Sequence, residues 1–167
     1  TNPNKLGEMI KIGRRGSLSG LIKISGIQGH VAYPHLVNNP INALVAVCKK
    51  LKEKKLDKGN KNFQPSNLEF TSINVDNKAT NVIPASARAQ FNIRFNNLHT
   101  SSSLKRKISS VVKKISKKNK CKFRIDFHVS GESFLTKPNE TIHMAKKIIK
   151  RITKITPKFS TTGGTSD

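Results

Sequence analysis

Ala87-Arg88-Ala89-Gln90-Phe91-Asn92-Ile93-Arg94-Phe95 reads as a half-buried β-strand. Ala87, Ala89, Phe91, Ile93 and Phe95 alternate with Arg88, Gln90, Asn92 and Arg94, so one face is apolar and the other polar. Just upstream, residues 68–75 predict a second strand, whose apolar phase slips between Phe70 and Ile73 and so predicts a bulge. Residues 17–25 predict a third, with Leu18, Ile22 and Ile24 on one face. Between these two, Asn39-Pro40 supplies a helix cap and a proline at the first helical position. Ile41, Leu44, Val45, Cys48 and Leu51 follow at helical spacing, with Lys49, Lys50, Lys52, Lys54 and Lys55 opposite, and 57–60 end the helix.

Downstream of Phe95, the Ser/Thr run at 100–103 caps a helix with Leu104, Ile108, Val111, Val112 and Ile115 inward. Asn119-Lys120 breaks it, and 121–129 form a strand with Phe123, Ile125 and Phe127 in phase. The order β-α-β-β-α-β over 17–129 predicts an α+β fold, a ferredoxin-like domain with a four-stranded antiparallel sheet and two helices on one face. The other face is left open to solvent or a partner. Residues 1–16 read as a polar lead-in ending in Gly13-Arg14-Arg15-Gly16. After Ser130-Gly131, Pro138-Asn139 starts a third helix with Ile142, Ala145, Ile148, Ile149 and Ile152. A short extended piece at 158–160 then leads to Gly163-Gly164. This last part needs something else to pack on.

The chain has 167 residues, enough for one domain with a sizeable core. Lys and Arg total 32 against nine acids, a formal charge of +23. That balance invites a nucleic-acid reading. Yet 25 of the basic residues are Lys and only 7 Arg, and Asn and Ile are abundant at 16 and 17, a mixture that A/T-rich codons write on an ordinary surface. Nucleic-acid sites favour Arg and stacking aromatics; here Trp is absent and there is one Tyr. Cys48 and Cys121 stand alone, without zinc spacing, and read as buried free thiols of a reducing compartment. No apolar run reaches the length of a membrane span.

None of the nine acids pairs with a histidine at metal-ligand spacing, and no nucleophile elbow is present. The chain therefore offers single groups rather than a reaction centre. His30, in Gln28-Gly29-His30-Val31-Ala32-Tyr33-Pro34-His35, is structural or catalytic. Arg94 pairs across the sheet or meets a carboxylate ligand. Asn81 is a turn residue or an amide donor. Arg14, Arg15, Gly16 and Ser17 form an anion-binding turn or a plain hinge. Gly163-Gly164-Thr165 lets a ligand approach the backbone closely or is an ordinary turn. His35, His99, His128 and His143 read as structural or surface residues.

GRRGSLSG at 13–20, QGHVAYPH at 28–35, ATNVIP at 79–84, FNIRF at 91–95, SGESFLT at 130–136 and STTGGTSD at 160–167 occur in this order. Together they resemble the dizinc aminoacylase/carboxypeptidase family of metallohydrolases over essentially the whole chain. The first two motifs are more similar to its desuccinylases than to its deacetylases. The family's zinc-binding α/β catalytic domain is interrupted by a ferredoxin-like lid that makes the dimer. The resemblance thus implies a connector over 1–16, a lid and dimerisation domain over 17–130, and a return segment into the catalytic domain over 131–167. It implies that the chain is an internal piece of a cytoplasmic homodimer that cleaves N-succinyl-L,L-diaminopimelate to succinate and L,L-diaminopimelate.

His30 would stabilise the oxyanion in the partner subunit's site, with Tyr33 and Asn81 lent to the same site. Arg14, Ser17 and Arg94 would bind substrate carboxylates, and Gly164 and Thr165 would line the pocket from the catalytic side. Two zinc or cobalt ions are implied for the whole enzyme. Their ligands and the general base have no counterpart in these residues, so this stretch by itself is expected to bind no metal and hydrolyse nothing. A related acylamino-acid deacylase or carboxypeptidase is one alternative. A basic ferredoxin-like nucleic-acid-binding module is another.

Overall fold

The protein is described here as a computed structural model covering residues 5–53 and 55–163. In chain order the elements are β1 (Met9–Lys11), β2 (Gly13–Arg14), β3 (Gly16–Ser25), β4 (Gly29–His30), a single 3-10 turn at Pro34–Leu36, α1 (Pro40–Glu53), β5 (Asn67–Asn74), β6 (Val82–Ile83), β7 (Ser86–Phe95), α2 (Ser101–Lys118), β8 (Lys122–Gly131), β9 (Phe134–Leu135), α3 (Glu140–Thr153) and β10 (Lys158–Ser160).

Four of them make one antiparallel sheet in the order β5-β7-β3-β8. With α1 and α2 packed on one face, this is the ferredoxin-like arrangement expected from the alternating patterns. Leu18, Ile22 and Ile24 of β3 and Ala87, Ala89, Phe91, Ile93 and Phe95 of β7 are buried against Ala43, Leu44 and Val47 of α1 and Leu104, Ile108 and Val112 of α2. Gly20 lies opposite Phe91 and Gly16 opposite Phe95 in the register of β3 and β7. A Cβ on Gly20 would overlap the Phe91 ring, so the glycines let both rings lie flat across the central strand.

The caps follow the sequence signals. Asn39 Oδ1 accepts from the Ile41 N–H (2.9 Å) at the start of α1. Thr100 and Ser103 form a reciprocal capping box on α2. Asn139 caps α3 by accepting from the Ile142 N–H. The register of β5 against β7 shifts between Phe70 and Ser72, the bulge anticipated from the slipped apolar phase. At the other edge, Phe123, Ile125 and Phe127 share the helix-facing side of β8 but are not fully buried.

The flanking segments depart from the expected polar lead-in. β1 pairs in parallel with β10, and β2 pairs antiparallel with β9, so the segments that flank the domain on either side are joined to each other. Two- and three-residue strands are too short to show a period of two, and their partners are distant in sequence. α3 buries no residue, and Met144, Ile148 and Ile152 stay exposed.

Candidate functional site

The central strand β3 separates two groups of functional side chains. The first is the His30 loop. β4 pairs with β6, and the Val31 N–H donates to the Asn81 carbonyl (3.0 Å), which ties the histidine turn to the Asn81-Val82-Ile83-Pro84 turn. His30 Nδ1 accepts from the Ala32 N–H (3.1 Å). A neutral imidazole that accepts at Nδ1 carries its proton on Nε2. That Nε2 lies 3.5 Å from Asn81 Nδ2. Two donors side by side cannot satisfy each other, but an anionic oxygen between them would meet both. Tyr33, 56 % exposed, places its ring 6.0 Å from the His30 ring. His35 stands edge-on to Tyr33 as a packing neighbour. No carboxylate among the described residues pairs with His30. The cluster is a set of exposed hydrogen-bonding groups suited to receiving negative charge.

The second group lies at the opposite end of β3. Arg14, Arg15, Ser17, Arg94, Ser130 and Gly131 line a small cavity of about 10 Å³. Ser17 faces Arg94 across the β3–β7 register. The Arg14 guanidinium lies over the Phe134 ring (5.6 Å), close to Gly131: a Cβ there would stand 2.8 Å from Arg14 Nη2. Arg15 Nη1 is engaged with the Pro65 carbonyl (3.3 Å) and Asn67 Oδ1 (3.2 Å), so it fastens a loop while Arg14 and Arg94 face the cavity. Among the described residues neither Arg14 nor Arg94 has a carboxylate partner. Unpaired guanidinia beside a hydroxyl form a carboxylate-binding set.

Ser17 to Ser25 spans eight residue steps, roughly 26 Å at strand rise, and His30 lies beyond. One small ligand therefore cannot touch both groups in a single protomer. Of the Gly163-Gly164-Thr165 loop, Gly164 and Thr165 lie outside the described residues. Gly163 holds φ +115, and Lys11 Nζ donates to the neighbouring Thr162 carbonyl and to Thr162 Oγ1 (3.2 Å).

One polar network had no sequence signal. Asp57 accepts from the Gly59 N–H (2.6 Å), the Ser66 N–H (3.2 Å) and Asn96 Nδ2 (2.8 Å), and lies 3.1 Å from His99 Nε2. Burial pushes the Asp57 carboxyl up, but hydrogen bonds from Ser66, Gly59 and Asn96 outweigh it and hold the group below the ordinary carboxylate value. The network fixes the 57–66 loop to the β7–α2 junction and gives His99 a structural role. Cys48 and Cys121 are free thiols, and burial pushes Cys48 up to about 11. Among the described residues no three His, Cys, Asp or Glu side chains converge to hold a metal ion. No described helix is long and apolar enough to cross a membrane.

A ferredoxin-like lid with the His30 cluster at one end and guanidinia at the other defines the class, and the chain belongs to the peptidase dimerisation domain family, whose profile matches residues 12–120. More particularly, it is 62 % identical over 167 residues to the succinyl-diaminopimelate desuccinylase of Pelagibacter ubique and 48 % identical to that of Parvibaculum lavamentivorans. It spans 44 % and 42 % of the lengths of those two relatives. A tripeptidase from Staphylococcus aureus matches 99 % of this chain with TM-score 0.81 and 16 % identity, over 42 % of its own chain. Aminopeptidase PepT from Bacillus cereus matches 99 % with TM-score 0.80 and 15 % identity, also over 42 % of its chain. At that identity the structures share the fold alone.

Proposed function

We propose that these residues are the lid and dimerisation domain of a metal-dependent amide hydrolase, with flanking pieces of its catalytic domain. The whole enzyme cleaves N-succinyl-L,L-diaminopimelate to succinate and L,L-diaminopimelate. The observation that carries this reading is the separation of the His30 donors from the Arg14–Ser17–Arg94 pocket along one strand. Such a lid serves two sites: its own protomer's through the arginines and its partner's through the histidine. His30 is the catalytic group, stabilising the oxyanion, with Tyr33 and Asn81 beside it. Arg14, Ser17 and Arg94 bind carboxylates, and Gly164 and Thr165, which lie outside the described residues, are assigned to substrate binding from the catalytic side.

The domain division follows: a connector over 1–16, the lid over 17–130 and a return segment over 131–167. The parallel β1–β10 pair supports it, because a parallel sheet needs both faces covered and more than two strands to stand. The exposed apolar side of α3 needs the same cover. A homodimer through the lid is supported by the contrast between the sheet edges. β8 carries Lys122 and Arg124, which discourage pairing, whereas β5 carries one charge, Glu69, and no lysine in a chain with 25. Two zinc or cobalt ions belong to the rest of the enzyme, where they would supply a Lewis acid and an activated water. The residues here bind, orient and stabilise charge. Free thiols at Cys48 and Cys121 fit a cytoplasmic setting.

The nucleic-acid alternative loses its stacking platform, since Phe91 and Phe95 are 1 % and 0 % exposed beneath the helices. Turnover is the test. The full-length protein should release succinate from N-succinyl-L,L-diaminopimelate faster than acetate from the acetylated analogue. Faster release of acetate would move the reading to a related deacylase; no release from either would refute the hydrolase.

A further inference from the structure

We propose that Asn92 is a positioning residue that turns the Ser17 hydroxyl into a donor for a substrate carboxylate held between Arg14 and Arg94. The proposal deepens, and rests on, the reading of that pocket as a carboxylate site. Asn92 stands on the open face of β7 opposite Ser19. Its Nδ2 donates to Ser17 Oγ (3.3 Å) and to Ser19 Oγ (2.9 Å). Ser17 is only 6 % exposed, yet it lines the cavity with Arg14 and Arg94.

A serine hydroxyl has one proton and two acceptor lone pairs. The Asn92 amide hydrogen occupies a lone pair on the side away from the cavity. The Ser17 proton is thereby directed the other way, toward the guanidinia. Guanidinia are donors only and cannot take it. The hydroxyl is thus left as a donor beside two cations, and an incoming carboxylate oxygen completes all three. Without Asn92, nothing fixes the hydroxyl's rotation, and it can present its oxygen to the pocket, where it would face the carboxylate with a lone pair. No base contacts Ser17 in this network, so the hydroxyl binds and does not attack.

The experiment uses the full-length enzyme with N-succinyl-L,L-diaminopimelate as probe. Asn92→Leu removes the donor at similar volume and should raise KM by about 5–10-fold, with kcat within about twofold. Ser17→Ala should do the same, and the double variant should be no worse than either single variant, because both remove one interaction. Asn92→Asp keeps the shape but replaces the donor by an acceptor that captures the Ser17 proton, and should raise KM by more than about 10-fold.

An Asn92→Leu effect of equal size in the Ser17→Ala background overturns the proposal, since Asn92 would then act otherwise than through Ser17. An unchanged KM in Asn92→Leu, with KM raised in Ser17→Ala and Arg94→Ala, overturns it while leaving the carboxylate pocket in place. An unchanged KM in both Ser17→Ala and Arg94→Ala removes the pocket reading itself, and this proposal with it.

Discussion

Mixing two inactive variants should restore activity if His30 and Arg94 serve different sites. Under the proposed function, the distance along β3, roughly 26 Å from Ser17 to Ser25 with His30 farther on, requires one substrate to take Arg94 from one protomer and His30 from the other. His30→Ala in the full-length enzyme should lower kcat by about 10²–10³, the usual loss of one oxyanion donor. Arg94→Ala should lower kcat/KM by roughly 10–100-fold, the loss of a charged hydrogen bond to a carboxylate. A heterodimer of the two contains one site with both groups intact and one site with neither. Equal mixing with subunit exchange makes about half of the dimers hetero, so total activity should reach about a quarter of wild type. The assay is succinate release after exchange, with heterodimer formation verified by two tags of different mass. Activity no higher than the mean of the two parents, in a sample shown to contain heterodimers, would refute the reasoning. It would place His30 and Arg94 in the same site and leave the strand geometry without its functional meaning.

Asp57→Asn should destabilise the fold by about 1.5–3 kcal/mol at pH 7, the range for hydrogen bonds to a charged acceptor. Because the folded Asp57 carboxyl sits below its ordinary value of 3.8, its contribution is present above that value and is lost as pH falls through the folded pKa. Urea unfolding of wild type and variant should therefore differ most above the ordinary value of 3.8 and converge only as pH falls below it through the lower folded pKa; a difference independent of pH would mean that the charge of Asp57 does no stabilising. Gly20→Ala should cost about 1–3 kcal/mol because the added methyl overlaps the Phe91 ring, seen as a lower urea midpoint at unchanged slope. An unchanged midpoint would show that the Phe91 ring moves aside freely.

Local signals made the central elements legible. The regular alternation of β7, and the looser one of β3, reflects one face buried under helices and one face more open, which is what a two-layer fold requires. The Asn39-Pro40, Thr100 and Asn139 caps are short-range chemistry and were readable residue by residue. The slipped phase of β5 gave its bulge in advance. The extended piece at 158–160 was legible, but its pairing was not, because Met9–Lys11 and Lys158–Ser160 are held by backbone hydrogen bonds that carry no side-chain code. The contact of His99 with Asp57, 42 residues away, left no trace because only the packed fold brings the two side chains together. Arg14 and Arg15 looked equivalent as neighbours in sequence. In the fold both line the cavity, but Arg15 Nη1 is also engaged with the Pro65 carbonyl and Asn67 Oδ1.

The sequence by itself determined the layer plan: which residues enter the core, where the helices begin, and which polar groups stand on loops and on the open face. These follow from periodicity and from capping, which act over a few residues. The tertiary structure alone decided which groups stand together. It brought Arg14, Ser17 and Arg94 into one cavity, set His30 beside Asn81, and placed the two sets at opposite ends of the same strand. Strand order and register are collective outcomes of packing, so distances between residues far apart in the chain exist only once the sheet has formed.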